Sequence, residues 1–498
     1  MIIKIYNVSR IILLILFSII SIYASKFYEG SLSIFGIYCA SFMALFFFIN
    51  RKSSYFEIFF FSYLFLGFWF KYIFSLILYN GIVFDSGHYN SSSIDNILLI
   101  GILVSVICIV SSIISKKIIN IEVPKNNNIK VKSFFQIIYL KNRVLILLLF
   151  IILIITASFL NYKFGIYQKG LINVTRSSNL IDNLIKWLLL FGLTTFSCFI
   201  IHTEILYRKK IDFSTIFTSL FEIFISFSSM LSRLSPINAL SIILPTYQQS
   251  LKLKKKNHQK FFIIIIFTLF FSALSIYAVN YLRLYKLNIH QISFENNNQQ
   301  SFNKLNSALQ FNIESNKSII SENKIKSNDV TYFIFINRWV GIDSLILVNN
   351  SKKLNFSLLY EALKENKKLN TDNTFYETTF GIKKENFQTD NVIIKGNTLP
   401  GIISFLYYSG NLYFVLISLF LIIILFNLLE NFIKKITGFN LIFACFLSNT
   451  IATRLINFGY APKESYLFAI SIILSVVVML CLSRMTGLFF SKKKKIYN

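Results

Sequence analysis

Residues 331–348 read TYFIFINRWVGIDSLILV, an apolar and aromatic-rich segment inside the long polar region of an otherwise strongly hydrophobic chain. Such a segment either packs against a membrane domain or dips into the bilayer surface. In both cases Arg338 and Asp343 are held near lipid depth, where ionisable side chains are costly and are candidates for function. The two lie five residues apart, about 140° around a helix, so they do not face each other as an i,i+4 pair. The alternative is that Arg338 caps a helix or pairs with a loop acid.

The surrounding chain has the composition of a polytopic helical membrane protein. Of its 498 residues, 55% are hydrophobic and 14% are charged, and the mean hydropathy is +0.61. Apolar runs of about 20 residues can each cross a hydrocarbon core about 30 Å thick. We therefore predict an all-α, polytopic integral membrane protein with about twelve transmembrane helices. The runs are 5–24, 32–49, 56–79, 96–119, 144–160, 183–206, 213–231, 236–250, 261–282, 408–432, 439–457 and 465–483.

Lysine and arginine concentrate in alternate short loops, such as Arg51-Lys52, Lys434-Lys435 and the tail Lys492–Lys495. The positive-inside rule then predicts a multi-pass membrane protein with both termini cytoplasmic. The net charge of +28 reflects this topology, and we expect no nucleic-acid partner. The predicted division is a bundle of nine spans (1–283), one large extracytoplasmic loop (284–399), and three further spans with a basic tail (400–498).

The long loop is expected to form a lid over the outer face of the bundle. Its first third is rich in Asn, Ser and Lys and predicts irregular structure. Ser351–Leu369 predicts an amphipathic helix, because Leu354, Leu358, Leu359, Ala362 and Leu363 fall on one side. Pro400-Gly401 begins an apolar turn that leads into the next span. The two halves of the chain show no repeat, which argues against a transporter built from repeats.

Arginines lie at the predicted outer ends of several spans. Guanidinium groups engage phosphate oxygens bidentately and keep their charge, so a converging set would suit a diphosphate. The alternative is that they snorkel to lipid headgroups. These residues are Arg176, Arg233, Arg283, Arg338 and Arg454.

Other ionisable residues offer acid–base or transport chemistry. A carboxylate or histidine could act as general base in transfer to a sugar hydroxyl; the candidates are Asp343, Glu464, Asp85, Glu377 and, more weakly, His88. Glu222 and Lys71 fall inside predicted spans and either belong to an ion path or pair with a polar neighbour. The cysteines and histidines have no metal-ligand spacing, and the sequence holds no phosphate loop, GxGxxG, HExxH or DxD. We expect no metal and no cofactor.

Four segments together resemble the bacterial Wzy-type polymerases of O-antigen and capsule repeat units. They are FINRWVGIDSLILV (335–348), SLLYEALKE (357–365), LPGIISFLYYSGNLYFV (399–415) and ATRLINFGYAPKESYLF (452–468). The resemblance is local to about 330–470. It implies a GT-C-like glycosyltransferase of the bacterial cytoplasmic (inner) membrane, which moves the growing glycan from undecaprenyl diphosphate onto an incoming lipid-linked repeat unit on the outer face.

The resemblance also implies roles for particular residues. Arg338 and Arg454, with Arg176 and Arg233, would stabilise the leaving diphosphate, and Asp343 would act as a base or orient one. Substrate binding is further assigned to Arg283, Trp339 and Tyr460. The expected partners are undecaprenyl-diphosphate-linked oligosaccharides, the lipid bilayer and, as a candidate, a chain-length regulator.

Three other functions stay open at this point. An O-antigen ligase or another lipid-linked sugar transferase would share the same donor. A flippase or transporter of lipid-linked oligosaccharide would depend on Glu222 and Lys71 rather than on the outer arginines. The remaining alternative is a purely structural membrane protein.

Overall fold

A computed structural model describes most of the helical regions and parts of the long loop. The described residues are 2–49, 53–79, 91–119, 133–169, 171–173, 179–209, 212–251, 258–295, 336, 339–351, 353–365, 374–380, 387–388, 392–394, 399–459 and 464–484.

The described chain is predominantly α-helical. Its helices are α1 (Ile2–Ala24), α2 (Leu32–Phe48), α3 (Tyr55–Leu64), α4 (Lys71–Tyr79), α5 (Ser91–Ile118), α6 (Phe134–Lys141), α7 (Arg143–Phe164), α8 (Leu180–Trp187), α9 (Leu193–Thr203), α10 (Phe213–Ser229), α11 (Ser235–Leu251), α12 (His258–Glu295), α13 (Ile342–Asn349), α14 (Phe356–Leu363), α15 (Phe375–Thr379), α16 (Gly401–Leu406), α17 (Leu412–Ile436), α18 (Leu441–Ile456) and α19 (Glu464–Arg484). Wider π-helical turns join α3 to α4 (Phe65–Phe70) and α8 to α9 (Leu188–Gly192), and another follows α9 (Glu204–Arg208). Single 3-10 turns occupy Ser25–Phe27 and Tyr407–Ser409.

Every apolar run read from the sequence coincides with a helical stretch. Among the described residues, 7 helices are long and apolar enough to cross a membrane. The apolar helices Leu32–Phe48, Phe213–Ser229, Leu441–Ile456 and Phe468–Ser483 are shorter, and α11 contains Pro245. The protein is therefore a helical membrane protein, while the crossing of the membrane by every run stays a prediction.

Three short strands add a feature that the sequence analysis did not predict. They are β1 (Leu171–Asn173), β2 (Phe387–Gln388) and β3 (Val392–Ile394), and they form an antiparallel sheet in the order β1-β3-β2. Leu171 pairs with Ile394 and Asn173 pairs with Val392. The sheet joins the segment after α7 to the end of the long loop, so two regions that we expect on the outer side are held together by backbone hydrogen bonds.

Buried carboxylates hold helix ends together at the end of the bundle predicted to be cytoplasmic. Glu430 of α17 accepts the backbone N–H groups of Tyr55 and Phe56 at 3.0 and 2.7 Å and is paired with Lys434. It thereby satisfies amide donors that the start of α3 would otherwise leave unpaired. Glu204 accepts Arg143 Nε at 2.6 Å, which connects the start of α7 to the turn after α9.

The predicted amphipathic helix of the loop is shorter than expected. It begins after Asn355, whose side chain accepts the N–H of Leu358 at 2.7 Å, and it ends at Leu363. Leu358, Leu359 and Ala362 are buried as predicted. Leu363, placed on the same side by the sequence, is 49% exposed, so the buried face is narrower than predicted.

Candidate functional site

Helix α13 carries Asp343 of the opening segment into contact with the membrane bundle. Its carboxylate Oδ2 lies 2.6 Å from Lys71 Nζ at the start of α4. The same ammonium donates to the carbonyl of Trp339 at 3.0 Å. Lys71 is 1% exposed and Asp343 is 8% exposed, so the pair is shielded from water. Removing either residue would leave the other as an uncompensated buried charge. Of the two alternatives for Lys71, the structure favours pairing with a polar neighbour.

Two glycines allow the loop backbone to approach the bundle closely. A Cβ atom on Gly67 would lie 2.1 Å from the carbonyl oxygen of Val340, and one on Gly341 would lie 2.3 Å from the carbonyl oxygen of Gly67. Both distances are shorter than any van der Waals contact. Gly67 lies in the π-helical turn Phe65–Phe70 that leads directly to Lys71. The glycine contact therefore sets the position of α13 against α4, and with it the Lys71–Asp343 pair.

The second carboxylate oxygen of Asp343, Oδ1, does not take part in the ion pair with Lys71. Oδ1 is buried and has no hydrogen-bond partner among the described residues. A buried acceptor without a donor is costly, and such costs concentrate at functional sites. A hydroxyl or an ammonium group of a ligand would satisfy this oxygen.

The segment 399–415 of the sequence resemblance packs against α13, and the segment 452–468 packs in turn against 399–415. Ser344 Oγ lies 2.6 Å from the carbonyl of Pro400 and 3.0 Å from Ser404 Oγ. The N–H of Gly401 donates to the carbonyl of Phe458 at 3.0 Å. Gly401 has φ +71, and a Cβ there would lie 2.9 Å from the carbonyl oxygen of Ile456.

A small core continues this contact into the loop. It joins α13, α14 and α15 to α16 and the turn after it through the residues Val348, Leu358, Leu359, Ala362, Tyr376, Phe405 and Tyr408. Phe405 also meets Phe458 edge-on, with ring centroids 4.9 Å apart. Segments that lie far apart in the chain thus form one packed unit.

Arg233 and Arg454 come to the same end of two neighbouring helices. Asn449 of α18 donates to Asn238 of α11 at 2.7 Å. Arg454 lies five residues after Asn449, and Arg233 lies five residues before Asn238. Along α18, Arg454 lies roughly 7 Å beyond that hydrogen bond toward the predicted outer side. Arg233 lies in the turn directly before α11, at the same end.

The two guanidinium groups have different surroundings. The guanidinium carbon of Arg454 lies 5.6 Å from the ring centre of Phe468, a cation–π distance. Arg233 lies in the turn between α10 and α11, where burial lowers the pKa of its guanidinium. It nevertheless stays charged at neutral pH.

Several predicted site residues cannot be related to this arrangement. Arg176, Arg338, Tyr460, Asp85 and His88 lie outside the described residues. Arg283 belongs to α12 and Glu464 begins α19, but their side chains are not among those described. Trp339 is half-buried beside Lys71, which binds its carbonyl.

Two of the predicted acidic residues have structural partners. Glu377 accepts the N–H of Thr374 at 2.9 Å in a capping box at the start of α15, so its carboxylate serves that helix. Glu222 lies within hydrogen-bond distance of Thr194 Oγ1, at 3.2 Å, inside the bundle. No group of His, Cys, Asp or Glu in the described parts of the chain is arranged to hold a metal ion.

The sequence analysis missed the Lys71–Asp343 pair. Its signal is a lysine directly after an apolar, glycine-containing run, FLGFWFK, and a glycine two residues before the aspartate in VGID. These glycines indicate close backbone approach, but only the folded chain shows that they approach each other.

No family model, curated protein or solved structure matches the chain.

Proposed function

We propose that the protein is a GT-C-like membrane glycosyltransferase that polymerises undecaprenyl-diphosphate-linked oligosaccharide repeat units into O-antigen or capsular polysaccharide. The observation that carries this proposal is the packing of the separate segments of the resemblance into one unit around Asp343. Segments that resemble those of a polymerase family and serve one reaction would be expected to meet in space. The reaction would take place on the extracytoplasmic face.

The proposed chemistry uses a carboxylate and several cations. A hydroxyl of the incoming repeat unit attacks the anomeric carbon of the growing glycan while the bond from that carbon to the lipid diphosphate breaks. Asp343 Oδ1 would accept the hydroxyl proton. Arg233 and Arg454, together with Arg338, would stabilise the charge that develops on the leaving diphosphate. The half-buried Trp339 would contribute to glycan binding.

A gel of surface polysaccharide from a strain lacking the gene tests this function. The deletion should leave single repeat units in place of a ladder, and wild type should restore the ladder. Asp343→Asn, Arg338→Ala and Arg454→Gln should each reduce the ladder at least about 100-fold, the usual scale for loss of general-base or electrostatic catalysis. Glu361→Gln is the matched control, since Glu361 is exposed on α14.

The other outcomes separate the competing functions. Complete loss of surface glycan in the deletion would indicate a ligase or a flippase instead. An unchanged ladder in the deletion would exclude any role in glycan assembly. Arg338→Lys should not rescue activity, because an ammonium cannot reproduce the fork of a guanidinium.

A further inference from the structure

The turn between α10 and α11 holds several buried polar atoms that lack a hydrogen-bond partner. Residues 228–235 read SSMLSRLS, and we refer to them as the serine turn. Among the described residues, no partner is found for the hydroxyls of Ser228, Ser232 and Ser235 or for Nε of Arg233. These serines are 8%, 2% and 2% exposed, so surrounding water does not satisfy them.

Other serines of α10 have hydrogen-bond partners for their hydroxyls. Ser229 Oγ donates to the carbonyl of Ser226 at 2.8 Å, the ordinary way in which a helical serine is satisfied. Ser219 does the same to Thr215 at 3.0 Å. The hydroxyls of Ser228, Ser232 and Ser235 do not use this solution, although an unsatisfied buried polar group is destabilising.

The electrostatics of the serine turn favour an anion. Helix α11 begins at Ser235 and has no acidic residue in its first turn. The free N–H groups and the dipole of a helix start attract negative charge. Arg233 supplies a full positive charge directly before this helix. The backbone N–H of Lys169 donates to the carbonyl of Met230 at 2.9 Å, so a second cationic residue is tethered to the same turn.

The backbone of the serine turn is held in place from two sides. The N–H of Ser232 donates to the carbonyl of Phe227 at 2.9 Å. Asn161 Nδ2 of α7 donates to the carbonyl of Ser229 at 3.0 Å. Hydroxyl donors on a fixed backbone lose little freedom when they bind a ligand.

We propose that the serine turn is a phosphate-binding site, in which Arg233, the hydroxyls of Ser232 and Ser235 and the start of α11 bind one phosphoryl group. Ser228 lies on the last turn of α10 and would line the same site. The inference rests on the proposed function only for the source of that phosphate, which would be the diphosphate of the lipid-linked donor. Free phosphate and a phospholipid headgroup present the same oxygens.

Calorimetric titration of the purified protein with inorganic pyrophosphate tests the site directly. Wild type should bind saturably. Ser232→Ala and Ser235→Ala should each raise the dissociation constant about tenfold, as expected for loss of one hydrogen bond to a charged group. Arg233→Gln should raise it further. Ser197→Ala is the matched control, because the Ser197 hydroxyl is also buried without a partner but lies in α9, and it should bind like wild type.

Two results would overturn the proposal. One is the absence of saturable pyrophosphate binding by wild type. The other is binding that the serine-turn substitutions leave unchanged while their unfolding midpoints match wild type. A variant that fails to fold is replaced by Ser232→Thr, which retains the hydroxyl and should retain binding.

Competition in nanodiscs of phosphatidylcholine identifies the source of the phosphate. Displacement of pyrophosphate by undecaprenyl diphosphate, but not by phosphatidylglycerol, supports a site for the lipid-linked donor. Equal displacement by both supports a site for phospholipid headgroups. The titration is independent of the polysaccharide gel, so loss of the ladder without pyrophosphate binding rejects the phosphate site alone. Pyrophosphate binding with an unchanged ladder rejects the proposed function alone.

Discussion

The Lys71–Asp343 pair gives the sharpest prediction at the scale of single residues. Lys71→Met should lower stability by about 3–5 kcal/mol, because it leaves a buried carboxylate without its counter-charge. The measurement is the midpoint of unfolding of the purified protein in detergent. Lys353→Met is the control, since Lys353 is exposed in the loop, and its midpoint should equal that of wild type.

The double variant Lys71→Met/Asp343→Leu separates stability from chemistry. Removing both charges should restore most of the lost stability, because no uncompensated charge stays buried. It should not restore the polysaccharide ladder if Asp343 accepts the proton. A double variant as unstable as the single one would show that the pair is not what holds α13, and a restored ladder would rule out Asp343 as the base.

How far the sequence predicts these residues depends on the range of the interaction. Asp343 stands out from the sequence alone, because a charge in an apolar segment is costly wherever the segment lies. The identity of its partner does not follow, since Lys71 lies 272 residues earlier and the sequence analysis placed it on an ion path or beside an unnamed polar group. Of the serine turn, the sequence analysis singled out only Arg233. Whether a hydroxyl lacks a hydrogen-bond partner can be seen only in the folded chain.

At the scale of elements, the glycine contact between the π-helical turn and α13 should be sensitive to a single methyl group. Gly341→Ala places a Cβ against the backbone of Gly67, where no side chain can move aside. We expect a loss of about 1–3 kcal/mol, the scale of overpacking, and a displaced α13. The unfolding midpoint measures the loss of stability, and a reduced polysaccharide ladder reports the displacement of α13.

Gly36→Ala provides the matched control for this change. Gly36 lies in α2, and nothing lies within 4 Å of a Cβ placed there. Alanine also favours the helix over glycine by about 1 kcal/mol. The midpoint of Gly36→Ala should therefore be unchanged or slightly higher. Equal losses in both variants would contradict a specific contact between Gly341 and Gly67.

Elements were predicted well where their pattern is local. Long apolar runs show their helices directly. The helix of the loop was predicted with three of its buried residues, but it begins after Asn355 rather than at Ser351. The small sheet was missed because its strands have two or three residues and belong to different loops. Their pairing is set by where the bundle places those loops, which no local pattern records.

At the scale of the whole molecule, the contacts between helix ends agree with alternating up and down helices. Glu430 meets the start of α3 at one end, while Asp95 accepts the N–H of Ser31 at 3.1 Å at the other. The alternation does not itself say which end faces the cytoplasm. That assignment follows from the distribution of lysine and arginine and stays a prediction.

Labelling of single cysteines in spheroplasts decides the orientation. Lys353→Cys in the loop and Lys141→Cys at the end of α6 both replace exposed side chains, in a background without the natural cysteines. A membrane-impermeant maleimide should label position 353 in spheroplasts and position 141 only after the cells are opened. This pattern would place Asp343 on α13 and the serine turn on the side where a lipid-linked glycan is elongated. The reverse pattern would put both sites on the cytoplasmic face. It would contradict the proposed polymerase, because residues on the cytoplasmic face could not reach a glycan that grows on the outer face.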